Sequence, residues 1–155
     1  MLICIVTVSD RASRGEYEDR SGPEIEKMLG ESLADCTIRR VLVADERDEL
    51  LRVFSENLDA DFVITTGGTG LSARDITPEA TIEFCEKRLP GIEETLRAES
   101  LKETTSAMLS RGAAGVRDST IVVNFPGSVR AVRLCTKVLL PAMEHAVRMM
   151  RGEGH

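Results

Sequence analysis

Short apolar runs that alternate with helix-patterned stretches, each run breaking off into a polar or glycine-rich segment, constrain this chain more than any other feature. Residues 1–8, 37–43 and 61–65 are β-branched and apolar and read as strands. Between them, Ile25, Met28, Leu29 and Leu33, and then Leu50, Leu51, Phe54 and Leu58, fall at the spacing of one helix face. Such alternation predicts right-handed βαβ units, and therefore a three-layer α/β/α sandwich with a mostly parallel sheet. Residues 113–116 and 120–124 add two candidate strands around the turn Arg117-Asp118-Ser119. Helices are predicted over 92–102, in a short piece near 106–109, and over 130–151. In the last, Cys135, Val138, Leu139, Ala142, Ala146 and Met149 share a face and Pro141 predicts a kink.

With 155 residues and no linker or repeat, the chain reads as one domain over 1–155. No apolar stretch approaches the ~20 residues of a membrane span, and residues 2–6 are too short for a secretory signal, so a cytoplasmic location is expected. The balance of 20 basic and 26 acidic residues gives a net charge of −6, which argues against a nucleic-acid partner. Four Phe and one Tyr also leave little for a base-stacking platform. The four cysteines are far apart in sequence, with no interleaved histidine, and Cys4 and Cys135 read as small core residues. His145, on the last helix, and His155, at the terminus, complete no Ser-His-Asp or Cys-His pattern.

In an open parallel sheet, ligands bind outside the carboxyl ends of the strands. Four polar segments fall there, after Val8, Val43, Thr65 and Asn124. The strongest is Thr66-Gly67-Gly68-Thr69-Gly70, whose successive amides and hydroxyls can form an anion-binding nest, or else only a tight turn. It lacks both the Walker and the dinucleotide glycine patterns. Arg74 and Asp75 follow, candidates for a phosphate partner and a Mg²⁺ ligand, or for a simple ion pair. Thr77-Pro78 then predicts a helix start with threonine at the cap. Asp45 is a second metal-ligand candidate or a helix cap. Ser9 and Asp10 can contact a polar heterocycle. Ser21 can do the same, or can close a capping box with Glu24. Pro126, Gly127 and Ser128 open the last helix, where amides attract a phosphate, or Ser128 caps it.

Taken in order, Val8-Ser9-Asp10-Arg11, Asp19-x-Ser21-Gly22, the segment from Thr66 through Arg74-Asp75-x-Thr77-Pro78-Glu79, and Asn124-Phe125-Pro126-Gly127-Ser128 resemble the MogA/MoaB molybdopterin adenylyltransferases and the related domain of gephyrin. The likeness spans about residues 3 to 150. It implies the α/β/α fold, a homotrimer, and transfer of AMP from Mg-ATP to the terminal phosphate of molybdopterin, with release of pyrophosphate. By motif position it assigns catalysis and Mg²⁺ to Asp75 and Asp45. It also makes the glycine loop and Pro126-Gly127-Ser128 ligand-binding segments, and leaves metal insertion to a separate insertase. A molybdopterin-binding carrier without turnover is the alternative, because some relatives lack the Arg-Asp-x-Thr-Pro pattern that this sequence keeps.

Overall fold

In the computed structural model, residues 1–153 are described; His155, and with it the end of the 1–155 domain assignment, lies outside the described residues. Six strands form one sheet: β1 (Leu2–Val8), β2 (Thr37–Val43), β3 (Phe62–Thr66), β4 (Lys87–Arg88), β5 (Ala114–Arg117) and β6 (Thr120–Phe125). Their order is β2-β1-β3-β6-β5-β4. The first four in that order run parallel, and β5 turns back against β6 through Asp118, whose φ is 50°.

Helices cover both faces. The described helices are α1 (Asp10–Ser13), α2 (Ser21–Ser32), α3 (Arg47–Glu56), α4 (Thr77–Phe84), α5 (Pro90–Leu101) and α6 (Val129–Met150), with a 3-10 turn at Thr105–Leu109. The alternation within each strand sets the two cores. Ile3 and Ile5 of β1, Phe62 and Ile64 of β3, and Ile121 and Val123 of β6 meet Ile25 and Leu29 of α2 and the buried side of α6. The intervening Cys4, Val6, Val63 and Val122 pack instead against Leu50, Val53 and Phe54 of α3 and Ala80 and Phe84 of α4. Three layers result, as expected.

Several local expectations are corrected. The buried line on α6 is Val132, Cys135, Leu139, Met143 and Val147; Ala142 and Met149 are exposed. Both sets obey helical spacing, and packing against α2 and α5 selects the set turned by about one residue. The helix assignment continues through Pro141. The capping box at Ser21 does not form, because Glu24 is drawn to Arg133 on α6 (2.7 Å) and Asp19 Oδ1 accepts the Gly22 amide at 3.0 Å instead. At α4 the cap position is Ile76, and Thr77 is the first helical residue with its hydroxyl buried inside. Helix α5 starts at Pro90, two residues before the predicted start at 92, as the fixed φ of proline suits a first-turn position.

The order of the strands positions the site. After β1 the chain passes to α2 on one face, whereas after β3 it passes to α4 on the other. The two connections diverge above neighbouring strands and leave a crevice at their carboxyl ends, the place where such sheets bind ligands.

Candidate active site

Gly67 and Gly68 follow β3 with φ values of 99° and 66°, two consecutive residues in the left-handed region that side chains resist. Their surroundings add a second reason for glycine. A Cβ on Gly67 would overlap the Val8 carbonyl oxygen of β1, and one on Gly68 would overlap Thr77 Oγ1 and stand 3.0 Å from Asp45 Oδ1. The loop is therefore pressed between the ends of β1, β2 and α4. The Gly67 amide donates to the Phe125 carbonyl (3.1 Å) and the Thr77 amide to the Gly68 carbonyl (3.1 Å). Thr66 Oγ1 donates to the Pro126 carbonyl at 2.9 Å, which fastens β3 to the loop after β6.

Below this loop, Asn124 is buried and all its polar atoms are engaged. Its side-chain amide donates to Thr65 Oγ1 (3.0 Å) and Thr81 Oγ1 (2.8 Å), while its oxygen accepts the Ala113 amide (3.1 Å). One residue thus joins β3, α4 and the segment entering β5 beneath the crevice.

The acidic wall comes from three loops. Asp10 and Asp45 are cross-tied: the Asp10 amide donates to Asp45 Oδ2 (2.9 Å) and the Asp45 amide to Asp10 Oδ1 (3.0 Å). Arg74 reaches over both, with Nε and Nη2 each 2.9 Å from the Asp10 carboxylate and Nη2 also 2.7 Å from Glu46. The Arg74 hydrogen bonds hold the Asp10 carboxyl below its ordinary range. Burial pushes the Asp45 carboxyl up, and the negative charges of Asp10 and Asp75 add to that. Asp75 Oδ2 accepts the Ser72 amide at 2.9 Å, which fixes the turn ahead of α4.

The sequence-selected residues thus converge at one end of the sheet, though some hydroxyls have structural duties. Ser9 Oγ accepts the Ala12 amide (3.2 Å) and Ser128 Oγ the Ala131 amide (3.1 Å), so both are helix caps here. Ser21 is buried against Asp19. Asp45 caps no helix of its own but receives the first-turn amide of α1.

Beside the loop lies a cavity of about 180 Å³ between α5, α6 and the 3-10 turn, lined in part by Ser100, Ser110, Asn124, Pro126 and Ser128. Glu93 and Arg97 also line it. Glu93 Oε1 accepts the Ala114 amide (2.9 Å) and pairs with Arg88 (2.7 Å), and Arg97 donates to the Gly112 carbonyl (2.8 Å). The sequence reading missed Glu93, Arg97 and Arg111. Arg111 binds the glycine loop through the Gly70 and Asp75 carbonyl oxygens.

A doubly wound sheet with an amide-rich loop, a carboxylate wall and an adjoining cavity at its switch point has the features by which folds of this class bind ligands. The chain belongs to the family whose sequence model is described as "Probable molybdopterin binding domain", which matches residues 4–145. It is 42% identical over 154 residues to a molybdopterin adenylyltransferase of Helicobacter pylori (strain J99 / ATCC 700824), covering 97% of this chain and 88% of that one. The structure of MogA superposes with a TM-score of 0.91 at 34% identity, covering 97% and 99% of the two chains. The tungsten cofactor synthesizing protein MoaB from Pyrococcus furiosus gives 0.87 at 34%, covering 97% and 96%. No helix of the described residues is long and apolar enough to cross a membrane.

Proposed function

We propose that this chain is a molybdopterin adenylyltransferase, moving AMP from ATP to the terminal phosphate of molybdopterin. A phosphate oxygen of molybdopterin forms the new bond to the α-phosphorus of ATP, and the bond from that phosphorus to the bridging oxygen breaks. Adenylyl-molybdopterin and pyrophosphate are the products. The substrate supplies its own nucleophile, so the protein's task is to position two anions and spread their charge. One observation carries the reading: the left-handed pair Gly67–Gly68 brings backbone to the carboxyl ends of β1 and β3 directly against Asp45 and Thr77.

The electrostatics call for a cation. Asp10, Asp45, Glu46 and Asp75 gather where Arg74 pairs only with Asp10 and Glu46, and a triphosphate would bring further negative charge. The residues fit Mg²⁺. Asp45 is a partly desolvated carboxylate facing two other acids, and the Thr77 hydroxyl nearby is buried with no hydrogen-bond partner. Among the described residues no group of three or more His, Cys, Asp or Glu is arranged to hold a metal by itself. Mg²⁺ is commonly held by one or two carboxylates and completed by substrate phosphates. Asp75 and Asp45 would hold it, and when bound it neutralises charge developing on the transferred phosphate.

The remaining residues orient. The amides of the glycine loop beyond Gly67 and those at Gly127 and Ser128 meet phosphate oxygens, and the cavity by Ser100, Ser106 and Ser110 takes the pterin ring, whose edge needs such donors and acceptors. Assembly as a homotrimer in the cytoplasm, and metal insertion by a separate protein, complete the proposal. Pyrophosphate release from Mg-ATP with and without molybdopterin tests it. Release should require molybdopterin and disappear in Asp75→Asn, while that variant keeps its fold because a loop carboxylate supports no core. Binding of molybdopterin without release would replace the enzyme with a carrier.

A further inference from the structure

We propose that Arg111 is a positioning residue that sets the spacing between the phosphate loop and the pterin cavity; this rests on the adenylyltransferase reading above. Its guanidinium spans two points of the phosphate-loop segment, with Nε 2.7 Å from the Gly70 carbonyl oxygen and Nη2 2.7 Å from that of Asp75. Its own amide donates to the Thr69 carbonyl at 3.0 Å. Glu79 on α4 holds the third nitrogen. Three attachments from one residue therefore hold the loop at Thr69, Gly70 and Asp75, and the fourth ties that residue to α4.

The flanking residues belong to the other subsite. Ser110 and Gly112 line the cavity, and their carbonyl oxygens accept from Arg97 Nη1 at 3.4 and 2.8 Å. Arg97 lies on α5 one turn after the buried Glu93, 3.6 Å from its carboxylate. Residues 110–112 are thus gripped from both sides, by Arg111 toward the triphosphate and by Arg97 toward the ring. A two-substrate transfer proceeds only when the acceptor oxygen stands in line with the α-phosphorus, and displacements of about 1 Å cost up to ~100-fold in rate. Arg111 acts through the loop and touches neither substrate.

Lysine can keep the charge pair with Glu79 but cannot span two carbonyl oxygens as a planar guanidinium does. Arg111→Lys is therefore expected to fold, while Arg111→Ala removes every side-chain attachment. Steady-state pyrophosphate release is measured for both variants and the unsubstituted chain, with thermal melts and separate affinities for molybdopterin and for a nonhydrolysable Mg-ATP analogue. In Arg111→Lys, kcat should fall about 10- to 100-fold with both KM values and both separate affinities within about threefold, and Arg111→Ala should fall at least as far. Unchanged kcat in Arg111→Lys overturns the proposal. So does loss of both affinities in step with the melting temperature, which would make Arg111 a fold residue. If the unsubstituted chain shows no molybdopterin-dependent release, the functional reading itself has failed, and this proposal with it.

Discussion

Burial and the neighbouring charges of Asp10 and Asp75 push the Asp45 carboxyl above its ordinary range, whereas Arg74 holds that of Asp10 below it. These shifts act on stability with opposite signs. Asp10 contributes stability above its unfolded-state value, lost as pH falls through the depressed folded one. For Asp45 the folded state favours the proton, so its contribution is present at low pH and is lost as pH rises through the raised value. Near neutral pH its charge works against folding. Asp45→Asn keeps an oxygen for the Asp10 amide and removes the charge, so it should melt higher than the unsubstituted chain at pH 7. The gap should close as pH falls toward the ordinary carboxylate range, near ~4. Thermal melts across that window decide it, and a lower melting temperature at pH 7 would mean that Asp45 supports the fold instead. Asp10 and Asp45 could be picked out in the sequence because each closely follows a strand, and Asp75 because it directly precedes the helix start at Thr77-Pro78. The commitment of Arg74 to Asp10 and Glu46 could not, and neither could Arg111, whose partners at Gly70 and Asp75 are 41 and 36 positions away.

Helix α6 shows how far a pattern carries at the level of an element. Its apolar residues fit two overlapping faces, and only contact with α2, α5 and the sheet selects the one centred on Leu139 and Met143. Leu139→Ala should therefore cost about 2–5 kcal/mol in urea unfolding, and Met149→Ala, at 53% exposure, no more than about 0.5 kcal/mol. Comparable losses at both positions would restore the face predicted from spacing. Strands β1, β3 and β6 were legible because helices cover both sides and demand continuous apolar runs. The four residues of α1 and the two of β4 were not, since each depends on partners outside itself. Serine at position 9 caps α1, Asp45 accepts its first amide, and β4 exists by pairing with Val116 and Gly115.

The whole molecule has two cores separated by one sheet, and every central strand contributes to both. Neither core can empty without exposing the strands that back the other, so thermal or denaturant unfolding should show one transition, coincident by near- and far-ultraviolet circular dichroism. Two resolved transitions would show that the layers come apart separately. The margins of that sheet carry a different consequence. At one margin stands β2, with Arg39 held by Asp59 and Arg40 by Glu26; at the other stands β4, only Lys87 and Arg88. A strand this short, or one this heavily charged, makes a poor template for backbone pairing with another chain. Copies of the protein that associate must therefore meet through side chains, and the molecule can be crowded with its own kind without its sheet growing into theirs.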